Sequence, residues 1–136
     1  MNKDKIKEFF KDDRYASLSG IEIVDVDKGY SKTKLEIEDK HLNAANVVQG
    51  GAIFTLADFV FAGASNSPGT VAGAINVSIS YLKAANKGSL FAEAKEIAFN
   101  PKIASYTVNV TNEAGEMIAV FQGMVYRKKE TILTAS

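Results

Sequence analysis

The stretch QGGAIFTLADFVFAGASNSPG, Gln49 to Gly69, decides the architecture. Between the pair Gly50-Gly51 and the breaker Ser67-Pro68-Gly69 it reads as one long helix, apolar almost all the way round. A helix without a polar face has to be covered on more than one side, so the rest of the chain must wrap it. One acid, Asp58, interrupts the run, and no basic residue lies near it in sequence. An isolated carboxylate is costly to bury and responds by raising its pKa or by finding donors. Two readings are open. Asp58 either caps a kink near Ala57 or meets a distant lysine, or it faces a cleft as a general base or nucleophile.

The start of the helix bears on that choice. Gly50 and Gly51 remove side chains where the first unpaired N–H groups and the positive end of the helix dipole emerge. A ligand oxygen could approach there as in an oxyanion hole; equally, the pair could serve only to pass the chain tightly into the helix. Eight positions separate Gly50 from Asp58, which at 1.5 Å per residue is ~12 Å. One carbonyl cannot touch both in one chain. A working site needs the helix start of one copy to face Asp58 of another, with two central helices antiparallel about a two-fold axis and two identical sites.

Outward from the helix, Lys3 to Tyr15 sets Ile6, Phe9 and Phe10 at helical spacing, an amphipathic helix within residues 1–19 that Gly20 closes. Ile21 onward reads as a hairpin turning at Asp27-Lys28-Gly29, with a slip of apolar parity between Ile23 and Val24 that marks a bulge. HLNAANVVQ is a loop. Beyond the helix, strands are predicted over Val71–Lys83, Ser89–Phe99, Ile103–Thr111 and Met117–Arg127. The first of these buries one face through Val71, Gly73, Ile75, Val77, Ile79 and Tyr81. The turns between strands are too short for parallel crossovers, and residues 128–136 form a loose tail. The sum is one domain over residues 1–136, of α+β class, with a curved antiparallel sheet wrapped around one long central helix.

Composition narrows the function. Sixteen basic and sixteen acidic side chains cancel, which excludes a broad basic footprint for nucleic acid or an acidic membrane. The longest apolar tract, Ala52 to Ala64, falls short of the roughly 20 residues a membrane span needs. A cytoplasmic protein with no membrane partner is expected. There is no cysteine and one histidine, His41, so thiolate nucleophiles, disulfides and multi-histidine metal cages fall away. Neither a G-x-S-x-G elbow nor a phosphate loop is present. Any catalysis must run on carboxylates, amides, hydroxyls and backbone N–H groups, and no metal or cofactor is expected.

Three segments, HLNAANVVQGGAIFTLADFVFAGASN, AINVSISYLKAANKG and GEMIAVFQGMVYRK, together resemble the hotdog-fold acyl-CoA thioesterases of the PaaI-like type, in the 4-hydroxybenzoyl-CoA thioesterase superfamily. The resemblance runs from about His41 to Arg127. It implies a hotdog fold and hydrolysis of an aryl- or medium-chain acyl-CoA to free acid and coenzyme A, which enters only as part of the substrate. It also implies a homo-oligomer, a dimer forming the site and two dimers forming a tetramer. On the matching positions, Asp58 would activate water or attack the carbonyl carbon, the Gly50 N–H would polarise the thioester oxygen, and Asn43 would orient that oxygen. Gly51 would line the substrate beside Gly50. Gln49 stands where many relatives carry histidine, so an amide that cannot titrate replaces a ring donor. Ala74 stands where some relatives carry a hydroxyl, and Asn76 and Ser78 are the polar candidates on that strand to replace it. Lys83, with Lys102, Arg127, Lys128 and Lys129, could meet the coenzyme A phosphates, and His41 is expected to pack the loop.

A non-catalytic acyl-CoA binder on the same fold is the competing reading, favoured by Gln49 and Ala74. Asp58 opposes it, since a binder of an uncharged thioester gains nothing from an unpaired acid. A hydratase would want a histidine beside a carboxylate, and His41 lies in a loop that matches the thioesterases. A purely structural role for Asp58 is the remaining option.

Overall fold

The computed structural model describes residues 3–131. Ten elements follow in chain order: α1 (Lys3–Lys11), α2 (Arg14–Ser19), β1 (Ile21–Asp27), β2 (Tyr30–Glu36), a 3-10 turn (Asp39–His41), α3 (Gly50–Asn66), β3 (Thr70–Tyr81), β4 (Ser89–Phe99), β5 (Ile103–Asn112) and β6 (Met117–Thr131). The strands form one antiparallel sheet in the order β1-β2-β4-β5-β6-β3, and α3 lies along its concave face. This is the α+β arrangement of a sheet around one long helix expected from the sequence, and it agrees with the hotdog fold that the resemblance implies. No helix among the described residues is long and apolar enough to cross a membrane.

Each boundary has a local cause. Residues 3–19 of the amphipathic segment are two helices rather than one, because Asp13 adopts extended backbone and its Oδ1 accepts from the Ala16 N–H at 3.0 Å. That cap starts a new helix where the first would have continued. Gly20, at φ +83°, ends α2 in the left-handed conformation that suits glycine. The parity slip in β1 is a real bulge: Ile23 pairs with Thr33 and Asp25 with Lys32, so Val24 is left over. The loose tail is not loose at its start, since residues 128–131 continue β6 opposite β3; residues 132–136 lie outside the described residues.

A register shift inside β3 changes its faces. The slip between Ala74 and Asn76 pushes Ile75 out to 55% exposure, while Val77 and Ile79 return to the core. The expected unbroken apolar face is therefore interrupted at Ile75. Tyr81, also expected inside, is 51% exposed at the strand's end. Among the described strands β3 pairs only with β6, which leaves its other edge open.

The core is the contact between α3 and the sheet. Leu56, Val60, Phe61 and Ala64 point inward onto Leu35, Leu90, Val108, Phe121 and Val125, all buried. Phe61 lies between Tyr106 and Phe121, with ring centroids 5.7 and 5.4 Å away. It also lies flat on Gly123, where an added Cβ would sit 2.5 Å from Phe61 Cζ. At the helix C-terminus, Arg127 donates to Ser65 O at 3.0 Å and to the Tyr106 hydroxyl at 3.0 Å, and pairs with Glu96 at 3.3 Å. This guanidinium is committed to the fold, not free for a phosphate.

The ring of Phe61 is held by its aromatic neighbours and cannot swing aside, so Gly123→Ala should overpack the helix–sheet contact. The expected loss is about 1–3 kcal/mol of stability, measured by urea unfolding against the parent chain.

Candidate active site

The loop before α3 is drawn in by backbone bonds, Gln49 N to His41 O and Val48 N to Ala85 O, each 2.8 Å. His41 is buried with both ring nitrogens engaged. Nδ1 accepts from the Glu38 N–H at 2.9 Å, which leaves Nε2 to donate to Ser19 O at 2.7 Å. It is the packing histidine the sequence called for, tying the loop to the end of α2.

Asn43 shapes the same loop. Its Oδ1 accepts from the N–H groups of Ala45 at 2.9 Å and Val47 at 3.3 Å, an Asx turn that holds the amide plane. With the oxygen so occupied, the amide's NH2 end is left as a donor without a partner among the described residues. At the helix start the first N–H groups to find a carbonyl are those of Ala52 and Ile53, both on Gln49 O. Those of Gly50 and Gly51 stay open, as helix geometry dictates for the first turn. The Gln49 side chain makes no capping bond; it turns back so that its Oε1 is 2.8 Å from where a Gly51 Cβ would be. Only glycine fits at 51 with that amide in place.

Tyr81 completes this end. Its hydroxyl donates to Gly50 O at 3.1 Å, and its ring lies 3.3 Å from a Cβ built on Gly50. The sequence did not single it out, because it reads as the last apolar position of an alternating strand. Only the length of β3 relative to α3 brings it here.

Asp58 sits elsewhere on the helix, and here the structure corrects the sequence. The expected burial is absent within one chain. The sheet covers one side of α3 and the ring of Phe10 in α1 covers Phe59 at 5.9 Å. A stripe of Gly51, Thr55, Asp58 and Ala62 remains uncovered or half covered, with Asp58 exposed beside partly desolvating neighbours. These positions recur every three or four residues, as one helix face must. The stripe escaped notice because glycine and alanine count as apolar while offering little to bury. Nor is Asp58 a cap: it lies mid-helix, and no hydrogen bond or ion pair engages its carboxylate among the described residues. Desolvation by the surrounding protein, and then the Asp13 carboxylate at the α1–α2 break, push its pKa up.

The remaining candidates are not brought to these groups. Asn76 pairs with Met124 and Ser78 with Gln122, so both side chains point off the sheet face opposite α3. There they line a hollow of about 150 Å³ with Ile97 and Ser105. Alternation with Val77 and Ile79, which pack against the core, sets that parity. Lys83, just past β3, is held in an ion pair by Glu116, whose carboxyl the lysine's hydrogen bond keeps below the usual range. No group of three or more His, Cys, Asp or Glu residues among those described is placed to hold a metal ion.

Comparison with known proteins bears on this geometry. A model of the Thioesterase superfamily matches residues 45–119, which include the helix start and Asp58. A protein of Archaeoglobus fulgidus that carries the name "Putative esterase" is 46% identical over 129 residues, 93% of this chain and 84% of its own. Acyl-coenzyme A thioesterase PaaI of Escherichia coli is 28% identical over 124 residues, 90% of this chain and 89% of its own. The structure of E. coli PaaI superposes with a TM-score of 0.89 at 27% identity, covering 95% of this chain and 97% of that one. A Streptococcus mutans protein solved with acetyl-CoA superposes with a TM-score of 0.78 at 27% identity, covering 82% and 90% of the two chains.

The raised pKa of Asp58 has a consequence for stability. Over the pH range between the ordinary aspartate value and the raised one, the folded chain keeps a proton that the unfolded chain has lost. Stability should therefore fall as pH rises through that range, and Asp58→Asn should abolish this fall. Melting temperatures of both proteins across a pH series check it; parallel curves would show that Asp58 is not the group responsible.

Proposed function

The chain belongs to the thioesterase superfamily, and from that premise we propose that its two catalytic sites are each shared between two copies of the chain. It is an acyl-CoA thioesterase of the PaaI-like hotdog type: the family, the kinship with E. coli PaaI and the acetyl-CoA bound to the S. mutans protein agree on this activity. How the residues perform it is the proposal.

One observation carries the reading. The only acid of α3 stands unpaired on the one face of that helix that its own chain leaves bare, eight positions from the open N–H groups. A second copy, antiparallel about a two-fold axis, would cover the bare stripe and bring its own Gly50 and Asn43 to Asp58. The open edge of β3 supports such pairing, because unpaired strand edges are templates for another strand. The functional unit is then a dimer, and two dimers would make the tetramer that the resemblance implies.

In this site the thioester oxygen lies on the Gly50 N–H and the Asn43 amide, with the Gln49 amide at the rim. Asp58 of the facing copy takes a proton from water as the water oxygen bonds to the carbonyl carbon. Negative charge passes to the carbonyl oxygen, where the preorganised donors hold it. The C–S bond then breaks, coenzyme A leaves as its thiol with the proton from Asp58, and the acid is released. Every step uses groups of the chain and water, with coenzyme A entering as part of the substrate. The same reading puts the enzyme in the cytoplasm, acting on a water-borne thioester. Desolvation of Asp58 would raise its basicity toward working pH, which favours proton transfer.

Asp58→Asn should lower kcat by roughly 100-fold or more, the scale of removing a positioned base, with thiol release as the readout. Asn43→Asp keeps the loop's two acceptor bonds and removes the donor, so it too should be slow. Co-expressing the two variants should restore up to roughly a quarter of parent activity, because half of random dimers carry one intact site out of two. Recovery of nothing would mean that Asn43 and Asp58 act within one chain.

A further inference from the structure

We propose that Tyr81 is a positioning residue that makes the Gly51 N–H a second donor to the thioester oxygen, beside that of Gly50; this rests on the reading of the helix start given above. The Tyr81 hydroxyl donates to Gly50 O at 3.1 Å, and that carbonyl belongs to the same peptide unit as the Gly51 N–H. A hydrogen bond accepted at one end of a peptide polarises the unit and strengthens the donor at the other. The donor in question is free, since the Gly51 N–H has no carbonyl partner among the described residues.

Orientation matters as much as strength. A peptide between two glycines is the most easily tipped kind, because neither flanking residue has a Cβ to restrict it. Here it is clamped. The Tyr81 ring lies against Gly50, 3.3 Å from the site of a Cβ, and the hydroxyl fixes the carbonyl direction. The clamp is itself anchored: Tyr81 pairs with Ala119 on β6, and the next residue, Leu82, donates to Ile118 O at 2.8 Å. A rigid strand end thus sets the plane of the peptide that faces the substrate, the kind of supporting shell a precise site requires. Tyr81 is half open to solvent, and a hydrogen bond made at such a position adds little to folding. Its effect should appear in turnover rather than in stability.

Tyr81→Phe removes the hydroxyl and keeps the ring. The expected result is a kcat lowered roughly 3- to 10-fold, less than the loss of a whole oxyanion donor, with KM and melting temperature unchanged. In the same variant the Gly51 amide proton should move upfield in the NMR spectrum, since its hydrogen-bond polarisation is lost. A kcat equal to the parent's, a change in KM in place of kcat, or an unmoved Gly51 proton would each overturn the proposal. If instead the parent chain releases no thiol, the thioesterase reading has failed, and the Gly51 proton still tests the clamp.

Discussion

The rotational setting of α3 is the constraint on which everything else rests. Leu56 and Val60 turn into the sheet, and Phe61 is locked between two aromatic rings over a glycine. Gly63 contributes in the same way, since a Cβ there would meet Ser31 Oγ at 2.6 Å. A close-packed interior of this kind has few alternative arrangements. At 100° per residue, fixing those positions fixes the rest. Asp58 has no freedom to turn inward, and Gly50 and Gly51 have none to turn their N–H groups away from the helix end. Chemistry and core are thus two sides of one cylinder whose angle the core determines.

The polarity of the helix divides the labour. Hydrogen-bond donors gather at its start, where geometry leaves N–H groups open and the dipole is positive. The acid sits two turns further on, out of reach of those donors. Both halves are supported from outside the helix: the loop amide of Asn43 and the ring of Tyr81 at one end, and the α1–α2 break with Asp13 beside the acid. The N-terminal pair of helices therefore does more than cover Phe59, since its capping carboxylate also raises the pKa of the acid.

Much of the fold was legible in the residues. Glycine, proline and asparagine clusters marked the turns, and alternation marked the strands. A one-residue slip in β1 betrayed its bulge, because a bulge shifts every later side chain to the other face. The bulge at Ile75 was invisible for a physical reason: apolar residues continue on both sides of it, so composition shows no slip. Asn76 and Ser78 keep the less apolar face that alternation gives them, away from α3. Asp58 was identified, but its burial was misjudged, since alanine and glycine look apolar yet build a bare stripe. The break at Asp13 was hidden by charges that suit a helix surface as well as a cap. Tyr81 could not be found from sequence, because its role depends on where a strand happens to end against a helix it does not adjoin in the chain.

The strut formed by His41 has a last implication. Both of its nitrogens are bonded to backbone groups, and the chain has no cysteine. The protein thus carries neither a sulfur that could exchange with the coenzyme A it liberates nor a loose imidazole to be acylated by an activated ester. Thiol exchange with released coenzyme A and acylation of a free imidazole are thus two side reactions that this construction closes off.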